Sequence, residues 1–225
     1  MFDKSNFDED LNKENLFSNF LINNCYNDSN FPFSVVRVDD LDLQHKGIDY
    51  IFESKIDSSI QFSVDEKVAS SYCSIKNLNT FGVELLSNTR NLNKFYTGWF
   101  LKESKESDYF IFGWPERAES ELRYLEYNDI YEIDIMLINK NRLIEFIFDK
   151  YFLNLDVLYN HSCKVAKKVP NRISKLDDYF NGARFCHSRN LYEKPINLII
   201  DKEDLKSICE FYYKVKSDGV FCDLL

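Results

Sequence analysis

Asp49, Asp65 and Lys67 are the residues of this chain whose types and spacing could do chemistry. They fall within KGIDYIFESKIDSSIQFSVDEK, residues 46–67. Two apolar runs there flank a polar link, and each run meets charge that strand propensity alone would not place in a strand. On strand spacing Ile60, Phe62, Val64 and Glu66 face one way while Gln61, Ser63, Asp65 and Lys67 face the other, so the first set packs and the second is available. A turn at Asp57-Ser58-Ser59 folds the two strands together and brings Asp49, Asp65 and Lys67 to one end of a hairpin. Two carboxylates held together on adjacent strands repel, and a bound divalent cation is the usual way for both to stay ionised. Mg2+, or Mn2+ in its place, is the default. Lys67 would then hold or help deprotonate a water and neutralise charge growing on a phosphate, which is the apparatus of phosphodiester hydrolysis. The same alternation also describes a half-exposed hairpin whose charges meet only solvent.

Gly47-Ile48-Asp49, followed 16 residues after the aspartate by Asp65-Glu66-Lys67, resembles the D…(D/E)xK signature of the PD-(D/E)xK, or restriction-endonuclease-like, nuclease superfamily. The resemblance implies Asp49 and Asp65 as metal ligands, the main-chain carbonyl of Glu66 completing the metal shell, and Lys67 as the catalytic lysine. In some nucleases of this family an acidic residue on the first helix joins the metal site. Glu14 is the candidate here, although as an ordinary helix glutamate it would only face water. The resemblance further implies a Mg2+-dependent hydrolase of nucleic-acid phosphodiesters, DNA before RNA and endonucleolytic before exonucleolytic. Two departures leave the subfamily open: no proline precedes Asp49, and no glutamine follows Lys67 on the next helix.

The implied fold is α/β: a restriction-endonuclease-like core with a mixed central sheet flanked by helices over residues 1–155, and a C-terminal α+β extension over residues 156–225. The periodicities predict a helix over 7–26, a strand over 34–38, a solvated turn at Asp39, Asp40 and Asp42, and a short helix over 68–75. A strand over 80–86 is expected beside the one that carries Asp65. Its Glu84 reads either as a further metal or water ligand or as the outward residue of an edge strand. Strands follow at 98–101, at 108–114 with Pro115 ending it, and at 130–138; residues 116–126 are a helix or an acidic loop. Residues 141–153 form a helix with Leu143, Ile144, Ile147, Phe148, Tyr151 and Phe152 on a broad apolar face, and the chain closes with a strand over 196–200 and a helix over 202–215.

Twenty Phe and fourteen Tyr against six Gly and four Pro describe an ordered, loop-poor chain long enough to bury a sizeable core. A net charge of −9 counts against sequence-independent nucleic-acid binding by the whole surface, so any backbone contact must come from a local patch. Lys164, Lys167, Lys168 and Arg172 are that patch, with Arg184 and Arg189 extending it; as single residues they also read as a solvated helix face. His161-Ser162-Cys163 and Cys186-His187 offer nitrogen and sulfur ligands, but at a spacing that matches no familiar zinc finger. The six cysteines lack CxxC spacing and read as reduced thiols. The acidic N-terminus lacks a secretory signal and no window is apolar enough to span a membrane, so the expected location is cytoplasmic. A homodimer or a protein partner stays open. The competing reading is a non-catalytic protein-interaction or regulatory module on the same fold, its acidic surface engaging a protein instead of DNA.

Overall fold

The computed structural model describes residues 6–70, 78–88, 94–117, 127–168, 175–188, 193–219 and 221–223. Helix α1 (Asn6–Leu21) runs into a π turn at Ile22–Tyr26, followed by β1 (Phe33–Arg37), the short helix α2 (Leu41–His45), β2 (Tyr50–Ser54) and β3 (Gln61–Val68). Next come β4 (Thr80–Asn88), β5 (Phe95–Thr97), β6 (Tyr109–Arg117), a 3-10 turn at Tyr127–Asp129 and β7 (Ile130–Asn139). Helices α3 (Lys140–Tyr151) and α4 (Leu155–Lys167) precede β8 (Lys175–Phe180), β9 (Ala183–Ser188), β10 (Ile196–Asp201), α5 (Lys202–Lys206), β11 (Phe211–Lys216) and β12 (Phe221–Asp223). The protein is therefore mixed α/β, with helices in the minority.

Compactness divides the chain into two interleaved units and not at residue 155. One holds residues 1–78, 107–139 and 209–225; the other holds 79–106 and 140–208. The first unit is a seven-stranded sheet in the order β1-β2-β3-β6-β7-β11-β12, antiparallel except where β6 runs parallel to β3. Period-2 alternation sends Val64, Ile111, Ile133, Ile135, Leu137, Phe211 and Val215 to one face, where they meet Phe17, Phe20 and Leu21 of α1 and Cys25, Tyr26 and Phe31 after it. The cluster is rich in edge-on aromatic pairs, among them Tyr26 with Tyr50 and Phe31 with Phe52.

Several expectations are corrected in this unit. The 80–86 strand does not neighbour β3, whose partners are β2 and β6; the eleven residues between Val68 and Thr80 fall short of the dozen or more a parallel crossover takes, and the chain builds β4 into the other sheet first. Pro115 does not end β6. Among the described residues, pairing with β3 stops at Gly113, so the N–H that proline lacks interrupts no ladder there, and the strand continues to Arg117 beside β7. The 202–215 helix is only α5; Phe211, Tyr213 and Val215 alternate onto the core face as β11, their aromatic and β-branched character suiting a strand. The turn at Asp39, Asp40 and Asp42 is organised by Asp40, whose carboxylate caps α2 by accepting from the N–H groups of Asp42 and Leu43.

The second unit is a five-stranded antiparallel sheet in the order β5-β4-β10-β9-β8, with α4 against β4, β9 and β10. Helical spacing places Leu158, His161, Ser162 and Val165 on the buried side of α4. The 98–101 strand is instead a turn. The Gly98 N–H bonds Leu85 O at 2.8 Å and the Phe100 N–H bonds Glu84 O at 3.2 Å, and a Cβ at Gly98 would fall 2.6 Å from Glu84 O, so only glycine fits there. Most of the 68–75 helix and most of 116–126 lie outside the described residues.

Candidate metal and phosphate site

The site begins with the glycine that aims Asp49. Gly47, at φ 77°, ends α2 in the left-handed conformation; its N–H bonds Gln44 O at 2.9 Å and the Ile48 N–H bonds Leu43 O at 3.0 Å, the paired closure of a helix end. The chain leaves this turn directly into the sheet. Asp49 is fixed on both sides, its N–H bonding Val64 O and its carbonyl accepting from the Val38 N–H, both at 2.9 Å. Its side chain turns toward β3, where Asp49 Oδ2 accepts the Glu66 N–H at 2.8 Å.

Asp65 and Lys67 share a face of β3, and Lys67 Nζ lies 2.5 Å from Asp65 Oδ1 and 3.3 Å from the Glu66 carbonyl. Asp65 is only 1% exposed, which corrects the expectation that its face of the strand is available; Ser63 on the same face is buried as well. Asp65 Oδ2 is buried with no hydrogen-bond donor. A buried carboxylate oxygen left without a donor is costly, and a cation is the partner that would relieve it. Asp49, Asp65 and Lys67 thus come together at the end of the hairpin.

The electrostatics follow from burial and crowding. Desolvation pushes Asp49 up from its ordinary 3.8 to about 6; Lys67 pulls against this, and the nearby Asp65 carboxylate adds to it. Burial alone would lower Lys67, but Asp65 and then Asp49 outweigh it and hold the ammonium protonated above its usual range. Lys67 is therefore a fixed positive charge in this state and not a base. Exposed Glu14 contributes to holding it charged, so the first-helix acid is within electrostatic reach of the cluster.

The side chain of Glu66 was not foreseen as part of the site. It points to the opposite face of β3, toward α1, where Ser18 Oγ donates to Oε1 at 2.6 Å and the Tyr26 hydroxyl donates to Oε2 at 3.2 Å. Burial raises it to about 7 despite those two donors. The signal was in the sequence: Glu66 falls on the packing set with Phe62 and Val64, and a carboxylate there has to find donors.

The remaining candidates fall elsewhere. Glu84 lies on β4 in the sheet of the second unit, paired to β10, so it does not belong to the sheet that carries Asp49 and Asp65. Lys164 and Lys167 are in the last turn of α4, where they complement the helix dipole. Lys168 is held by Asp178 at 2.9 Å and Arg184 by Asp177 at 3.1 Å, so neither is a spare phosphate contact. Arg172 and Arg189 lie outside the described residues. His161 bonds Asp178 at 3.0 Å and stacks on Phe180, while buried His187 lies edge-on to Phe95.

Among the described residues no three His, Cys, Asp or Glu side chains group as metal ligands. What the hairpin offers a cation is two carboxylates and the Glu66 carbonyl. That set suits a hard ion which keeps several waters, as Mg2+ does, and the donorless Asp65 Oδ2 fits it as well. No family model, no curated protein and no solved structure matches the chain.

Proposed function

We propose that the Asp49, Asp65 and Lys67 cluster is the active site of a Mg2+- or Mn2+-dependent nuclease, cleaving phosphodiester bonds of DNA internally. The observation that carries the reading is the buried, donorless Asp65 Oδ2 beside a second carboxylate and the lysine paired to Asp65, at one end of a hairpin. The same reading takes the hairpin β2–β3, with its parallel neighbour β6, as a restriction-endonuclease-like core acting in the cytoplasm. Among the described residues no helix is long and apolar enough to cross a membrane.

A divalent ion held by Asp49, Asp65 and the Glu66 carbonyl would polarise the scissile phosphate and acidify a bound water. The chain's own groups do the rest. The Glu66 N–H fixes the Asp49 carboxylate. Lys67 Nζ, paired to Asp65, is placed to neutralise charge that builds on the phosphate oxygens in the transition state.

Supercoiled plasmid, single-stranded DNA and RNA, each incubated with Mg2+ or Mn2+, test the proposal. Cleavage of plasmid that is lost in EDTA, in Asp65→Asn and in Lys67→Met supports it, provided that the variants melt as cooperatively as the wild type. Cleavage that persists in both variants, or no cleavage of any substrate with either ion, overturns it. One observation favours the competing protein-interaction module: Lys168 and Arg184, expected to hold the nucleic-acid backbone, are already paired with aspartates. Titration calorimetry separates the two, since a module predicts no Mn2+ uptake that Asp65→Asn removes.

A further inference from the structure

Helix α3 carries two apolar rows, and only one is used inside the fold. Leu143, Ile147 and Tyr151 are buried, whereas Ile144, Phe148 and Phe152 run one turn apart along the next row, with Phe148 50% and Phe152 73% exposed. Helix α4 repeats the arrangement, burying Leu158 and Val165 and leaving Leu155 and Tyr159, again one turn apart, exposed. A groove runs between the two rows, lined by Ile144, Glu145, Phe148, Asp149, Asn154 and Leu155. An apolar strip of this kind on one face of a folded unit is the usual mark of an interaction surface.

The backbone at Phe152 adds to this. Its φ of 56° is left-handed, a conformation that costs a bulky side chain about 1–2 kcal/mol and that glycine normally supplies at a helix end. Phe152 closes α3 through its N–H to Phe148 O at 2.7 Å, and Asn154 then caps α4, so a glycine would serve the reversal better. What phenylalanine adds is an aromatic ring held out in water at the end of the strip.

Charge identifies the occupant. Glu145 and Asp149 stand one turn apart along the groove, and neither has an ion-pair partner among the described residues. No lining residue is cationic, and Lys150, next to Asp149 in sequence, is committed to Asp204. A second copy of this chain would bring the same acidic rim and the same net charge of −9, and an anionic membrane surface would be repelled likewise. We propose that this groove is a docking site for an amphipathic helix of another protein, one with an apolar stripe flanked by lysine and arginine. Leucine or aromatic side chains of that helix insert between Phe148 and Leu155, and its cations pair with Glu145 and Asp149.

Fluorescence anisotropy with the full chain tests it, using two synthetic helices of about 18 residues that share one apolar stripe of Leu and Phe. One carries lysine and arginine on its flanks and the other glutamate. The cationic helix is expected to bind saturably, more weakly as salt rises, and the acidic one not to bind. Phe148→Ala, and separately the pair Glu145→Gln with Asp149→Asn, should each weaken binding about tenfold while the circular dichroism melt stays where it was. The proposal is overturned if neither helix binds, if both bind alike, or if the variants bind as the wild type does. It is equally overturned if light scattering shows a dimer, or flotation shows vesicle binding, that Phe148→Ala abolishes.

Discussion

Replacing Asp49 with asparagine should make the metal-free protein more stable at neutral and alkaline pH. Asp49 is raised from 3.8 to about 6, chiefly by burial, so its folded form holds a proton that its unfolded form releases. The sign follows. Between about pH 4 and pH 6 the folded state binds more protons than the unfolded one, and stability falls as pH rises across that window. Ionising Asp49 in the folded protein therefore costs about 3 kcal/mol at alkaline pH. Asparagine is neutral throughout and can still accept the Glu66 N–H that Asp49 Oδ2 accepts at 2.8 Å. At about pH 8 in EDTA, Asp49→Asn should gain up to about 3 kcal/mol, or roughly 2–4 °C in melting temperature for each kcal/mol. Near pH 4 the gain should vanish. At a thousandfold excess over Kd, Mn2+ should reverse the order at alkaline pH, because the wild type gains about 4.1 kcal/mol, more than the roughly 3 kcal/mol it lacks, and the variant has lost a ligand. Urea and thermal melts at the two pH values, with and without Mn2+, measure all three quantities. A variant that is less stable than the wild type at both pH values, or a difference that does not change with pH, refutes the reasoning.

Other perturbations probe the turns and ion pairs of the two sheets. Lys214→Met, which takes Lys214 Nζ from its bond to Glu132 and from Asp134 Oδ1 at 3.2 Å, leaves two carboxylates facing each other and should cost about 2–3 kcal/mol in urea melts, most of it recovered in Lys214→Met with Glu132→Gln. Gly98→Ala drives a Cβ against Glu84 O and should destabilise by about 1–3 kcal/mol, a loss that Glu84→Ala does not repair because the clash is with backbone. Gly47→Ala, at φ 77°, should cost about 1 kcal/mol in stability and weaken Mn2+ binding in calorimetry by shifting Asp49, whereas the same change at Gly182, φ 80° in the β8–β9 turn, should cost stability alone.

The hairpin was legible because its signals are local. Alternation over residues 60–67, the turn at Asp57-Ser58-Ser59 and the glycine before Asp49 specify β2, β3 and the meeting of three side chains without reference to anything distant. What the sequence left unread is long-range. Nothing near β3 announces that its parallel partner begins at Tyr109, after two strands have gone to another sheet, and a boundary near residue 155 misses units that interleave three segments with two. The basic run after residue 163 looked like a patch because its acids lie farther along, with Asp177 and Asp178 pairing across strand and helix end to Arg184 and Lys168. The availability of Asp65 failed for a related reason: alternation fixes which face a residue takes but not whether that face meets water, and Phe110 and Phe112 opposite Asp65 and Lys67 are fully buried.

Glu66 joins these two kinds of information in one residue. Its N–H holds Asp49 on the cluster side of β3, and its carboxylate, raised to about 7, is held by Ser18 and Tyr26 on the helix side. One peptide thus ties the placement of α1 and the π turn to the orientation of the carboxylate that would face a cation. Glutamate here is poor for stability, since glutamine would bury no charge and could accept from one hydroxyl while donating to the other. A costly acid stands where its backbone positions a second costly acid, and Oδ2 of Asp65 beside them has no donor. Such penalties within one hairpin are hard to account for by folding, and a cation bound on the cluster face relieves those of Asp49 and Asp65 together, while the Glu66 main chain positions the first of them.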